Sequence, residues 1–454
     1  MLTGSGKKYE IDMCRGAVLP KMLLFAVPLM CSSILQLLFN AADIIVVGRY
    51  AGDNSLAAVG SNTSLIGLLT NLFIGISVGS NVLAARYYGA RDEQSLSRTV
   101  HTSMLLGVVS GVFLTVVGVA GARRILILMR TPEEVLGLAT LYLVIYFFGM
   151  TATMVYNFGS AILRAVGDTR RPLFYLVAAG IINVLLNLFF VIYLRLDVAG
   201  VALATVISQC VSAALVTRCL MRESGGIRFV PSELRIDREK LIKILRVGLP
   251  AGIQGVLFSL SNVVIQSSIN SFGAVVMAGS SAAANIETFI YFATNSFYQA
   301  VISFTSQNMG AGKIKRIYRI LKVGMICSAV VGLTLGLCAV IFGRPLLGVY
   351  SSSEAVVSAG MDRMRILSWT YALCGLMDAM VGALRGIGYS VLPTVVTLLG
   401  VCGLRLIWIA TIFQIPALHT ITMVYLSYPV SWLVTFSAHA AGFVWAMKRI
   451  EKRR

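Results

Sequence analysis

The chain has 454 residues, 57% of them hydrophobic, a mean hydropathy of +0.84 and only 13% charged side chains. A soluble domain averages about 25% charged residues, and no soluble core buries this much apolar surface, so the chain is an integral membrane protein. The net charge of +19 resides in short loops between apolar runs, where Lys and Arg orient a membrane protein. No Arg-rich groove with interleaved aromatics argues for nucleic acid.

The apolar runs are ~20–28 residues long, enough for helices across ~30 Å of hydrocarbon, whereas barrel strands would alternate over ~10 residues. Twelve spans are predicted, at 20–48, 56–86, 98–121, 132–158, 172–194, 198–220, 241–271, 277–306, 316–343, 354–382, 390–415 and 419–447. The first run is long and has no A-x-A-like cleavage site behind it, so it reads as a retained helix and not a signal peptide. An even number of spans puts both termini on one side. Arg49, Arg123, Arg124, Arg130, Arg195 and Arg344 fall on the opposite side, Arg363, Arg365 and Arg405 fall within spans, and the remaining Lys and Arg share the side of the termini. That side is cytoplasmic by the positive-inside rule, which predicts a multi-pass protein of the cell membrane with both termini in the cytoplasm. The eight cysteines include no CxxC pair and lie, Cys14 excepted, in or beside apolar runs. They read as packing residues, not as a disulfide framework or zinc site.

The longest polar segment, RESGGIRFVPSELRIDREK at 222–240, reads as a cytoplasmic linker between an N-terminal six-helix lobe, 1–221, and a C-terminal six-helix lobe, 241–454. The halves are copies. ILRAVGDTRRP (162–172) faces ALRGIGYSVLP (383–393) with a shared L-R-x-x-G-x-x-x-x-P pattern, and YYGA (87–90) faces NMGA (308–311), both at a shift of 221 residues. Pro28 and Pro250 match at nearly the same spacing. Six spans per copy give both copies one orientation, as in transporters with parallel repeats, which bind ligand between lobes and rock about that interface. The predicted fold is therefore an all-α integral membrane protein of twelve transmembrane helices in two parallel-repeat six-helix lobes.

Three acidic residues lie well inside spans: Asp43, Glu287 and Asp378. Asp43 sits in LLFNAADIIVVGRY (37–50), the only acid between Asp12 and Asp53. An ionised Asp at the bilayer centre costs about 2.5–3.5 kcal/mol on insertion scales, so such groups face a protein interior or a water-filled cavity. Asn183 and Asn187 stand one turn apart in the fifth span and Thr205 in the sixth. Counted from the external ends, Asp43, Asn187 and Thr205 share a depth of roughly 8–11 Å. A carboxylate, amides and a hydroxyl at one depth can hold a proton or a hard cation such as Na⁺, which prefers oxygen ligands. The alternative is interhelical hydrogen-bonding that holds the helices together. In the second half, depth makes Glu287 a better-matched partner for Arg405 than Asp378. Tyr142, Tyr146 and Tyr291 are among the aromatics able to line a cavity for aromatic cations.

No GxxxxGK[ST] phosphate loop, HExxH, GxSxG or carboxylate cluster occurs, so ATP hydrolysis and enzymatic chemistry are not expected. Transport would draw on an ion gradient.

Twelve spans in two repeats, with LRAVGDTRRP, ALRGIGYSVLP and SFTSQNMGAGK, resemble the multidrug and toxic compound extrusion (MATE) family over nearly the whole chain. The resemblance implies a secondary-active antiporter that expels amphipathic, usually cationic, organic compounds in exchange for H⁺ or Na⁺. It implies no cofactor beyond that ion, small-molecule substrates, a lipid-bilayer setting and function as a monomer. Asp43, Asn183, Asn187 and Thr205 look like the N-lobe cation set of one family branch, and Tyr142 and Asn157 extend it. Some relatives carry an acid where Asn187 stands; the single carboxylate here favours H⁺ and leaves Na⁺ at Asp43 as the only candidate metal. Glu287, Asp378, Arg405 and Tyr291 are the candidates for a substrate cavity. The alternative function is a flippase of a lipid-linked precursor in the same wider superfamily, to which Arg363, Arg365 and Arg405 lend support.

Overall fold

The structure is a computed structural model that describes residues 9–452, and every regular element among them is helical. In chain order the helices are α1 (Val18–Tyr50), α2 (Asp53–Ala90), α3 (Glu93–Leu128), α4 (Glu133–Phe148), α5 (Met150–Ala165), α6 (Arg170–Asn187) and α7 (Asp197–Arg222). The second half supplies α8 (Arg238–Asn270), α9 (Ala274–Gly310), α10 (Ile314–Ile341), the short α11 (Gly343–Gly348), α12 (Glu354–Leu367), α13 (Tyr371–Ile387), α14 (Val391–Thr397), α15 (Leu404–Ala410) and α16 (Ile421–Glu451). A π-helical segment, Leu188–Tyr193, continues α6, and another, Leu398–Gly403, joins α14 to α15. Each of the twelve predicted spans falls on one helix or on one such broken run.

Nine of these runs are long and apolar enough to cross a bilayer, and two more, α4 with α5 and α12 with α13, qualify as bent pairs. The twelfth span, α9, is long but not uniformly apolar. Its Ser280, Glu287, Thr294, Ser296, Ser303, Thr305, Ser306, Gln307 and Asn308 are all buried. Thr294 and Ser296 donate to carbonyls on their own helix, Ile290 O at 3.3 Å and Phe292 O at 2.9 Å. A helix wrapped by protein has no need of an apolar surface facing lipid, and these two hydroxyls are satisfied by the backbone.

Both bent pairs turn by 46°, at corresponding places in the two repeats. At the first, Gly149 separates α4 from α5, and the Phe147 carbonyl beside the break accepts a hydrogen bond from Thr115 Oγ1 at 2.8 Å. At the second, Thr370 Oγ1 donates to Leu367 O at 2.8 Å. Backbone groups released by a break inside a membrane need such partners.

The repeated L-R-x-x-G-x-x-x-x-P pattern is a helix-to-helix turn. Gly167 (φ 95°) and Gly388 (φ 103°) take the left-handed conformation that ends α5 and α13. Asp168 then accepts the backbone N–H groups of Arg170 and Arg171, each at 3.1 Å, and binds the Arg171 guanidinium, which also reaches Glu223. Pro172 and Pro393 occupy the first turn of the following helix, where no intrahelical N–H is required.

The chain forms two compact units. One contains Cys31–Gly252 with the residues up to Asp12, the other Met13–Met30 with Ile253–Arg454. The expected division at 222–240 follows chain order; the units instead change over inside α1 and α8, beside Pro28 and Pro250. In the first unit the 222–240 segment is no loose linker. Val230 N donates to His101 Nε2 at 3.1 Å and Asp237 N to Thr102 Oγ1 at 3.0 Å, so the strand of chain lies along α3. Asp237 itself accepts the backbone N–H groups of Lys240 and Glu239, which hold its carboxyl below the usual range. Lys240, at the start of α8, donates to Tyr87 Oη at 3.0 Å. In the second unit Asn308 plays the matching part, donating to Met13 O at 3.0 Å ahead of α1. The YYGA and NMGA motifs therefore each secure the leading segment of the other half's first span.

Within the first unit α2 and the leading part of α8 cross at glycines. A Cβ at Gly75 would lie 2.3 Å from Gly252 Cα, and one at Gly248 would lie 2.5 Å from Ile76 Cα. Such spacing of small residues lets backbones touch, the main source of helix association where no hydrophobic effect operates. Gly75→Val and Gly248→Val are expected to lower the thermal unfolding midpoint or abolish recovery of folded protein, because overpacking costs ~1–3 kcal/mol even where side chains can yield. Gly67→Ala, with nothing within 4 Å of its Cβ, is expected to leave the midpoint unchanged in the same fluorescence-detected size-exclusion assay.

Candidate functional site

In the first unit, α1, α6 and α7 bring four polar residues together. Asp43 is 9% exposed, Asn183 4% and Asn187 0%. Asn187 Nδ2 donates to Asp43 Oδ1 and to Asn183 Oδ1 (3.3 Å), while Asn183 Nδ2 donates to Thr205 Oγ1 (3.4 Å). Thr205 Oγ1 in turn donates to Val201 O on its own helix at 3.0 Å. The one-turn spacing of the two Asn puts both amides on one face of α6. The π segment begins at the next residue, Leu188; such insertions widen a helix turn and recur at functional sites.

Two features define the chemistry. Among the described residues no Lys or Arg forms an ion pair with Asp43, so its hydrogen-bond donors are neutral. Among the described residues the buried Asn187 Oδ1 has no partner, an acceptor open to a proton carrier or a cation. Asp43, Asn187 and Thr205, which share a depth, and Asn183, one turn from Asn187, are thus neighbours in space. Tyr142 is buried, stacks on Tyr146 at 5.9 Å between ring centroids, and lies within electrostatic reach of Asp43. Asn157 is not drawn in: its Nδ2 donates to Thr153 O on its own helix at 2.8 Å.

The second-unit candidates do not form one site. Glu287, fully buried, is held by Arg363, whose Nη2 and Nε approach Glu287 Oε2 at 2.9 and 3.2 Å; Arg363 Nη1 donates to Ser280 Oγ at 2.9 Å. This corrects the expected match of Glu287 with Arg405. Arg363 stands nearer because α12 packs directly on α9. Asp378 is half-buried and lies with Tyr291 and Arg385. Arg385 donates to Tyr298 Oη and, at 2.8 Å, to Gln254 Oε1. Arg405 is 1% exposed; its Nε donates to Ser431 Oγ at 2.8 Å, and its guanidinium lies 4.1 Å from the Tyr428 ring centroid, 5.5 Å from Trp432 and 6.0 Å from Phe258. Sequence reasoning missed the Glu287–Arg363 pair. Each residue lies about ten residues from the same end of its span, so depth matching of the kind used for Asp43 is the signal that finds it.

An open, mostly apolar groove of about 510 Å³ in the first unit is lined by Phe148, Thr151, Val155, Cys210, Ala214 and Met221 among others. None of its lining residues belongs to the Asp43 cluster.

A twelve-span helical protein built as two repeats, with its acids and amides gathered inside the membrane-spanning helices, defines a transporter-type membrane protein. The MatE family model matches twice, over residues 28–189 and again over 250–411. The chain belongs to the MatE family, the multidrug and toxic compound extrusion transporters, which are not enzymes. It is 29% identical, over 95% of both chains, to YoeA of Bacillus subtilis strain 168, described as a probable multidrug resistance protein. Two solved structures, each 23% identical, share the fold. One is a MATE protein crystallised in a bent conformation, with a TM-score of 0.87 over 99% of this chain and 98% of that one. The other is a MOP superfamily transporter from Pyrococcus furiosus, described as having reversed binding-pocket polarity, with a TM-score of 0.88 over 99% of both chains.

Proposed function

We propose that the protein is a secondary-active antiporter that exports amphipathic organic cations in exchange for H⁺, by rocking of its two lobes, in a cell membrane with both termini on the cytoplasmic side. The observation that carries the reading is the Asp43 cluster: one buried carboxylate held by neutral donors only. A proton needs one such group. Na⁺ gives up several waters on binding, and a second carboxylate normally offsets that loss. Protonation of Asp43 would weaken its hold on Asn187 and, through it, on Asn183, which lets α1 and α6 repack and release a cationic substrate. The relatives named above support an efflux function and lend none to the lipid-precursor flippase.

The experiment is reconstitution into liposomes with a fluorescent organic cation and either a pH gradient or a Na⁺ gradient alone. Efflux driven by the pH gradient is expected. Efflux driven by Na⁺ at equal pH, with none driven by the pH gradient, would overturn the assignment of the coupling ion.

A further inference from the structure

The two matches to the family model run from 28 and from 250 and end at 189 and 411, a shift of 222 residues at both ends. At that shift the first unit's Asp43, Asn183 and Asn187 fall on Ile265, Arg405 and Ile409 of the second. The π segments account for the register. Pro172 and Pro393 differ by 221, and the segment Leu398–Gly403 lies ahead of Arg405, whereas Leu188–Tyr193 lies behind Asn187. One extra residue in the wider turn brings Arg405 level with Asn183. Ile265 and Ile409 pack in one apolar cluster with Phe413, Val424 and Tyr425. Where the first repeat gathers a carboxylate and two amides, the second thus has an isoleucine in place of the carboxylate and of one amide, and a guanidinium in place of the other amide.

That guanidinium has no counter-ion: among the described residues no carboxylate forms an ion pair with Arg405, since Glu287 is taken by Arg363. A guanidinium has five N–H donors; Nε is used on Ser431 and the faces are covered by rings, but the buried Nη2 has no partner among the described residues. Trp432 Nε1, on a ring 5.5 Å from the Arg405 guanidinium, is also buried without a partner among the described residues. A buried, uncompensated cation beside a second unused donor is costly to keep unless something anionic meets it.

We propose that this cluster is a binding site for the acidic group of an aromatic organic anion. Arg405 Nη2 and Trp432 Nε1 donate to a carboxylate or a group of like charge, and the Tyr428, Trp432 and Phe258 rings take the aromatic body. The site is distinct from the Asp43 cluster and does not depend on the coupling ion, so the protein's ligands include organic anions or zwitterions as well as cations.

The test uses the full-length protein in nanodiscs and measures calorimetric binding of 2-naphthoate and of its neutral isostere 2-naphthamide. Naphthoate is expected to bind about tenfold or more tightly than naphthamide, the range for a charge-assisted hydrogen bond in a buried site. Arg405→Gln is expected to erase that difference, and Trp432→Phe, which keeps a ring and removes the N–H, to reduce it severalfold. Asp43→Asn is expected to leave it intact, so that a failure of the proton-coupling reading, which appears in transport, is separable from a failure here. Equal binding of the two compounds by the wild type overturns the proposal, as does an undiminished naphthoate preference in folded Arg405→Gln. If Arg405→Gln cannot be recovered folded, an unchanged preference in Trp432→Phe overturns it instead.

Discussion

Purified Asp43→Asn protein in liposomes is expected to lose gradient-driven efflux to background while folding and inserting as the wild type does. The amide keeps the size of the side chain and can still meet Asn187, and through it Asn183 and Thr205, so the helix packing around it survives. What it lacks is a second protonation state. A conformational equilibrium responds to a ligand only through differential binding to its two states, and an unprotonatable side chain gives H⁺ nothing to bind. Efflux by Asp43→Asn at the wild-type rate, under the same pH gradient, would show that the carboxylate is structural. Substrate binding measured without a gradient should persist, which separates loss of coupling from loss of the fold.

Glu287→Gln is expected to act in the opposite way, through stability. Glu287 is the buried counter-charge of Arg363, with the pair further tied to Ser280. Removing one partner of a buried ion pair leaves the other charged in low dielectric and costs about 3–5 kcal/mol, while replacing both with apolar groups of similar volume is often neutral. The single variant should therefore show a markedly lower thermal unfolding midpoint in detergent. The double variant Glu287→Met/Arg363→Met should recover most of it. A Glu287→Gln protein of normal stability that has lost transport would place Glu287 in the coupling machinery instead.

The contrast between these residues shows why the sequence was informative in one unit and less so in the other. Against an apolar background Asp43 is conspicuous, and the helix rise converts its distance from the span end into a depth that Asn187 and Thr205 share. In the second unit three guanidinium groups compete for two carboxylates, and the partner of Glu287 is decided by which helix packs on α9, a tertiary fact with no spacing signature. The helices themselves were legible because bilayer thickness fixes span length, and even the polar α9 was found from its boundaries. The 46° bends and the π segments were not, since neither Gly149 nor the apolar stretches 188–193 and 398–403 stand out in composition from ordinary membrane helix. The change-over of units inside α1 and α8 was equally hidden: Pro28 and Pro250 signal a place where a helix can bend, not which neighbours its two ends will choose.

That change-over bears on how a molecule of this kind could arise. Each compact unit takes the opening turns of its neighbour half's first helix, secured by Lys240 on Tyr87 in one case and by Asn308 on Met13 in the other. A single six-helix gene product could not complete such a unit from its own chain. It would have had to work as a pair of identical copies, each lending the other the first stretch of its leading helix. Duplication and fusion would then have joined subunits that were already interdependent, and only afterwards left one copy free to keep an aspartate while the other acquired an arginine.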